Sequence, residues 1–216
     1  MTIQFNHGLR ADAKRINLAL QGGGAMGAFT WGVLDRILED DRLIIEAISG
    51  TSAGAMNAVV MVDGLMRGGR TIARERLRKF WGEVSKAASY SPIQRGPFDI
   101  FTGNWSLDLS PAYFFIDTFT HAVSPYQFNP FNINPLRNIL HQIVDFKRVR
   151  ACDGIKLFVS ATNVETGRVR VFGGRNLTID KVMASACLPT LFHSVEIDGQ
   201  HYWDGGYMGN PVLFPF

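Results

Sequence analysis

The chain has 216 residues, 46% hydrophobic and 19% charged, which is enough for one well-filled domain and too little for a second independent one. A net charge of only +3 demands no nucleic-acid partner, and two cysteines, Cys152 and Cys187, cannot make a disulfide framework. A cytoplasmic protein is the simplest expectation, since residues 1–14 are polar and hold no apolar run of signal-peptide length. The longest apolar stretch, Ala55 to Met66, is broken by Asn57, Asp63 and Gly64, too short to span a bilayer. Membrane contact, where it occurs, is therefore expected to be peripheral.

Ile16 to Leu20 reads as a first strand that runs straight into Gln21-Gly22-Gly23-Gly24-Ala25-Met26-Gly27. Phe29, Val33 and Ile37, with Leu34 and Leu38 beside them, then recur at helical spacing, so the glycine loop opens onto an amphipathic helix ending near Asp40. Backbone N–H groups at such a corner can converge on one negative oxygen. The loop also matches a dinucleotide fingerprint through Gly22, Gly24 and Gly27. That chemistry wants an acid closing the second strand, whereas Glu39, Asp40 and Asp41 precede it, which weighs against the cofactor.

The second strand, Ile44 to Ile48, closes on Ser49-Gly50-Thr51-Ser52-Ala53-Gly54. Gly50 and Gly54 give Ser52 the Gly-x-Ser-x-Gly spacing, which lets the backbone turn sharply enough to expose a hydroxyl at a strand-to-helix corner. The following helix would aim its positive end at Ser52, and Gly68-Gly69 ends it. Alone, this pattern also describes an ordinary capped turn. Arg67, Arg70, Arg74 and Arg78 fall three or four apart, and a solvated face balanced by Glu75 and Glu83 is expected in preference to a docking site for anionic lipid.

Residues 90–131 carry five prolines and eleven aromatics. They read either as a lid or wall offering apolar surface to an acyl chain, or as rings filling the gap between sheet and outer helix. A helix near Pro135 to Val144 follows, then a central strand Ile155 to Ala161, a neighbouring strand Arg168 to Phe172, and a short helix from Ile179 to Ala186. Val195 to Ile197 and His201 to Trp203 alternate around Asp198-Gly199, a hairpin signal. Asp204-Gly205-Gly206 comes directly after; alone it would be an Asp-Gly turn.

Together the Gly22 to Gly27 loop, the Gly50 to Gly54 elbow and the Asp204-Gly205-Gly206 triplet resemble the patatin-like phospholipase family, in the family's order. Ala161-Thr162-Asn163 with Thr166-Gly167, and Ala184 to Pro189 leading to Ile197-Asp198-Gly199, look like its intervening segments. The resemblance implies a three-layer α/β/α sandwich with a mostly parallel central sheet, acting on lipid or other carboxylic esters. It implies Ser52 as nucleophile, Asp204 as general base in hydrogen-bond contact with it, and an oxyanion hole from the N–H groups of Gly22, Gly23 and Gly24. No cofactor is implied, and no metal cluster stands out in the sequence. Many relatives carry a basic residue where this chain has Met26, which favours a neutral ester over a phospholipid. They also continue past the position of Phe216, so 1–216 reads as a single C-terminally truncated domain. Two rivals remain: a Ser-His-acid hydrolase using His193 or His201 with Asp153 or Asp180, and a non-catalytic lipid- or protein-binding module.

Overall fold

The structure is a computed structural model that describes residues 13–90, 101–103, 118–120 and 122–216. Most of the aromatic-rich stretch between 90 and 118 lies outside the described residues, and with it the lid reading. Its far end, from Pro125 to Asn132, packs on the loop at 193–194: Tyr126 stacks on His193 with ring centroids 4.0 Å apart, and its hydroxyl meets the Ser194 hydroxyl at 3.0 Å.

In chain order the elements are β1 (Lys14–Leu20), α1 (Gly27–Glu39), β2 (Leu43–Gly50), α2 (Ala53–Ser89), α3 (Pro125–Phe128), α4 (Pro135–Ile143) and α5 (Phe146–Arg150). Then come β3 (Lys156–Asn163), β4 (Val169–Gly173), α6 (Ile179–Ser185), β5 (Val195–Ile197) and β6 (Gln200–Asp204). β1, β2 and β3 are parallel, β4 and β6 run against β3, and β5 runs against β6. Four strands therefore share one direction, giving the mixed α/β fold with a mostly parallel sheet. At Ala47 to Gly50 of β2 and Val159 to Asn163 of β3, successive residues are buried, so layers cover both faces of the sheet centre.

Register fixes the geometry of the site. Leu20 pairs with Gly50, so the loops after β1 and β2 leave the sheet side by side. β2 pairs with β3 over Lys156 to Val159, and β6 pairs with β3 over Ala161 to Asn163. Phe158 and Val159 pair with β2 on one side and β4 on the other, while Ala161 and Thr162 pair with β6 and β4. β2 and β6 thus share one edge of β3 and run head-on toward each other, meeting beside Ser160.

α2 is a helical hairpin. Its backbone leaves helical geometry at Gly68 (φ −173, ψ 27) and Gly69 (φ 80, ψ −161), where the sequence signalled a stop. The returning arm packs on the first: Trp81 Nε1 donates to Asn57 Oδ1 at 2.8 Å, and Asn57 Nδ2 donates to the Gly27 carbonyl at 2.9 Å, tying both arms to the start of α1.

The basic stripe is not a free solvated face. Arg70 donates to the carbonyls of Ile37, Asp40 and Leu43, closing the C-terminal end of α1, and Arg74 forks onto Asp35 at 2.8 and 2.9 Å and reaches Glu39 at 2.6 Å. These arginines bolt the returning arm of α2 to α1, a use that helical spacing alone cannot reveal. Asp63 is fully buried and gathers Arg148 Nη1 at 2.6 Å, Arg76 Nη2 at 3.2 Å, Arg67 Nε at 3.6 Å and the Asp145 N–H at 3.2 Å. Removing the carboxylate strands the half-buried Arg76 without its counter-charge and leaves Arg148 only Asp145, at 3.1 Å. Asp63→Ala is expected to cost about 3–5 kcal/mol in urea unfolding, whereas Arg67→Ala, at the exposed rim, is expected to cost under about 1 kcal/mol. Equal costs would contradict this ranking.

Candidate active site

Ser52 follows the end of β2 with φ 53 and ψ −120, a conformation that costs a non-glycine residue on the order of 1–3 kcal/mol. Its surroundings hold it there. The Ser52 N–H donates to Ser185 Oγ at 2.8 Å, and its carbonyl accepts the Met56 N–H at 3.1 Å. Thr51, fully buried, hydrogen-bonds the Ser160 hydroxyl of β3 and donates to the Gly209 carbonyl at 3.0 Å. The glycine spacing has a packing cause: a Cβ on Gly54 would overlap the Leu20 carbonyl oxygen, so the first turn of α2 can sit against the end of β1 only without a side chain. Likewise a Cβ on Gly22 would stand 2.7 Å from the Ser52 Cβ.

Asp204 ends β6 and is 4% exposed. Its N–H donates to the Cys187 carbonyl at 2.8 Å, and its carbonyl accepts from Thr162 Oγ1 at 2.9 Å. Its Oδ1 accepts the Gly206 N–H at 2.7 Å. Burial pushes the Asp204 pKa above the ordinary carboxylate value; the Gly206 N–H and a contact from the Ser52 hydroxyl offset this in part. Ser52, Asp204 and the glycine loop Gly22 to Gly24 line one open cavity of about 430 Å³, together with Leu188, Gly206, Tyr207 and Asn210.

The three loop glycines are not equivalent. The Gly22 N–H donates to Asn210 Oδ1 at 2.6 Å. Among the described residues, the Gly23 and Gly24 N–H groups have no acceptor, and both glycines have positive φ (151 and 56). Asn210 and Ser185 are the residues that sequence reasoning missed. Ser185 stands in a recognised family segment, yet nothing in its spacing assigns it a role, and Asn210 has no local signal beyond following the Asp-Gly-Gly triplet.

Neither histidine of the rival triad lines the cavity. His193 Nε2 lies 3.3 Å from the Pro125 carbonyl, and His201 Nδ1 lies 3.0 Å from Ser194 Oγ. The acids weighed with them are engaged elsewhere, Asp153 with Arg175 at 3.1 Å and Asp180 with Arg137 at 2.6 Å. Among the described residues no three His, Cys, Asp or Glu side chains are grouped as metal ligands, and no helix is long and apolar enough to cross a membrane.

The model of the family described as patatin-like phospholipase matches residues 18–216. The chain belongs to that family. Of solved structures, the patatin-like chain is similar to VipD from Legionella pneumophila, with 15% identity, a TM-score of 0.50, and coverage of 95% of this chain and 48% of that one. The likeness is one of fold, and the chain spans about half the length of that neighbour. No curated protein matches it. The patatin-like chain presents Met26, 78% exposed, beside the glycine loop, its Cβ 3.5 Å from where a Cβ on Gly23 would stand.

Because burial raises the native pKa of Asp204 above its value in the unfolded chain, the folded state binds that proton more tightly. Ionisation at neutral pH therefore costs native stability, and the cost disappears as pH falls below the ordinary carboxylate value. Asp204→Asn is expected to melt above wild type at pH 7 in scanning calorimetry, with the gap narrowing on acidification. A variant melting below wild type at pH 7 would contradict the desolvated carboxylate.

Proposed function

We propose that this chain is a serine acyl hydrolase that cleaves carboxylic esters of lipids through a Ser52 acyl-enzyme. One observation carries the reading: a strained, glycine-flanked serine shares a cavity with a buried aspartate of raised pKa and two open glycine N–H groups. Ser52 Oγ attacks the ester carbonyl carbon while Asp204 accepts its proton. The developing oxyanion accepts hydrogen bonds from the Gly23 and Gly24 N–H groups, and the positive end of α2 adds to the same field. Collapse of the tetrahedral intermediate breaks the ester C–O bond and releases the alcohol, protonated from Asp204. Water, deprotonated by Asp204, then attacks the acyl-enzyme, and Ser52 leaves with the proton as the carboxylic acid departs.

An ordinary aspartate is too weak a base for serine, and desolvation is what raises it toward usefulness. The substrate is inferred to be an acyl ester with an uncharged group near the scissile bond. Among the cavity's described lining residues Asp204 is the one carboxylate and there is no Lys, Arg or His, and Met26 stands where many relatives carry a cation. Met26, Phe29 and Val33 follow one another at i, i+3 and i+7 along the start of α1, all exposed, and Tyr207 and Met208 are exposed just past the aspartate. This apolar rim supports peripheral contact with the lipid that supplies the substrate.

Ser52→Ala and Asp204→Asn are each expected to lower kcat on a short p-nitrophenyl ester by about 10⁴-fold or more, whereas His193→Ala and His201→Ala keep most of it. For wild type, kcat/KM is expected to rise with pH through one ionisation above the ordinary carboxylate value and then level off. A histidine variant as inactive as Ser52→Ala would sink the dyad, as would a pH profile flat through the acid range.

A further inference from the structure

The start of the glycine loop is held from outside by the Asn210 side chain. Asn210 grips Gly22 at both ends of the residue, Oδ1 accepting its N–H at 2.6 Å and Nδ2 donating to its carbonyl at 3.5 Å, and the Asn210 carbonyl accepts from Gln21 Nε2 at 3.4 Å. Asn210 sits in turn on a strap fixed to the strand that carries the nucleophile. The Thr51 hydroxyl donates to the Gly209 carbonyl at 3.0 Å and accepts from the Ser160 hydroxyl, and the buried Ser49 hydroxyl donates to the Val212 carbonyl at 2.6 Å. The two residues beyond Gly22 adopt positive φ without side chains of their own to anchor them, so the loop has many conformations to lose unless something external fixes it.

We infer that Asn210 is a positioning residue for the oxyanion hole: by clamping Gly22 to the strap that runs under Ser52, it fixes the Gly23 and Gly24 N–H groups at the place where the substrate oxygen develops charge. The inference rests on the hydrolase reading. Its chemical content is that Gly22 is spent on the clamp, so the hole has two loop donors in place of three. Preorganisation of this kind acts on the transition state more than on the bound ester, so its loss lowers kcat and leaves KM nearly unchanged.

The test is steady-state kinetics of Asn210→Ala on a short p-nitrophenyl ester, with the rate of Ser52 labelling by a fluorophosphonate and the melting temperature measured on the same preparation. The expected result is a kcat lowered roughly tenfold to a hundredfold, KM within about threefold, and labelling slowed by a similar factor in a folded protein. If Asn210→Ala does not fold, Asn210→Leu replaces it: it fills the same space with no acceptor for the Gly22 N–H, and is expected to fold, keep its KM and lose kcat by a similar factor. Ser52-dependent turnover with wild-type kcat in whichever variant folds overturns this inference alone. A wild type with no Ser52-dependent turnover or labelling overturns the hydrolase reading and this inference with it.

Discussion

One edge of β3 serves two strands, and the site depends on that sharing. β2 occupies the first half of the edge and β6 the second, running in opposite directions, so their C-terminal ends face each other across Ser160. Ser52 and Asp204 are more than 150 residues apart in sequence, yet one lies two residues beyond the end of β2 and the other is the last residue of β6, strands whose positions β3 dictates. The parallel pairing of Leu20 with Gly50 brings the glycine loop to the same point. In open α/β sheets, sites form beyond the carboxyl ends of strands; here an antiparallel strand delivers its own carboxyl end to the same place.

Holding three chain corners together requires the surrounding polar groups to be satisfied, and most of them are paired within the junction. Ser49, Thr51 and Ser160 are fully buried hydroxyls: Ser49 and Thr51 each donate to a carbonyl of the 209–212 strap, and Ser160 donates to Thr51. Ser185, also fully buried, takes the N–H of the strained serine. The junction therefore stores two unfavourable features, the Ser52 backbone conformation and the desolvated Asp204 carboxylate, and offsets them with a dense hydrogen-bond network. Stability given up at a site and recovered around it is the usual condition of a preorganised centre.

Much of this was legible in the sequence because small residues leave sharp signatures. The elbow at Ser52, the loop at Gly22 to Gly24 and the hairpin around Asp198-Gly199 each stand where glycine is needed for close approach or positive φ. The strand and helix order followed from apolar period. What stayed illegible depends on pairing across distance. No spacing discloses that Arg70 caps α1, that Asp63 collects three arginines, or that Asn210 takes the Gly22 N–H, because each partner lies on an element whose register is set elsewhere. The head-on meeting of β2 and β6 is likewise a property of β3 and not of either strand's own residues.

The central claim is that Ser52 becomes acylated. Acid quenching of the protein during turnover of a long-chain p-nitrophenyl ester, followed by peptide mass spectrometry, tests it most directly. The account predicts an acyl mass increment on the peptide containing Ser52 and on no other. Hydrolysis with no covalent increment, or with the acyl group on a different side chain, would contradict it.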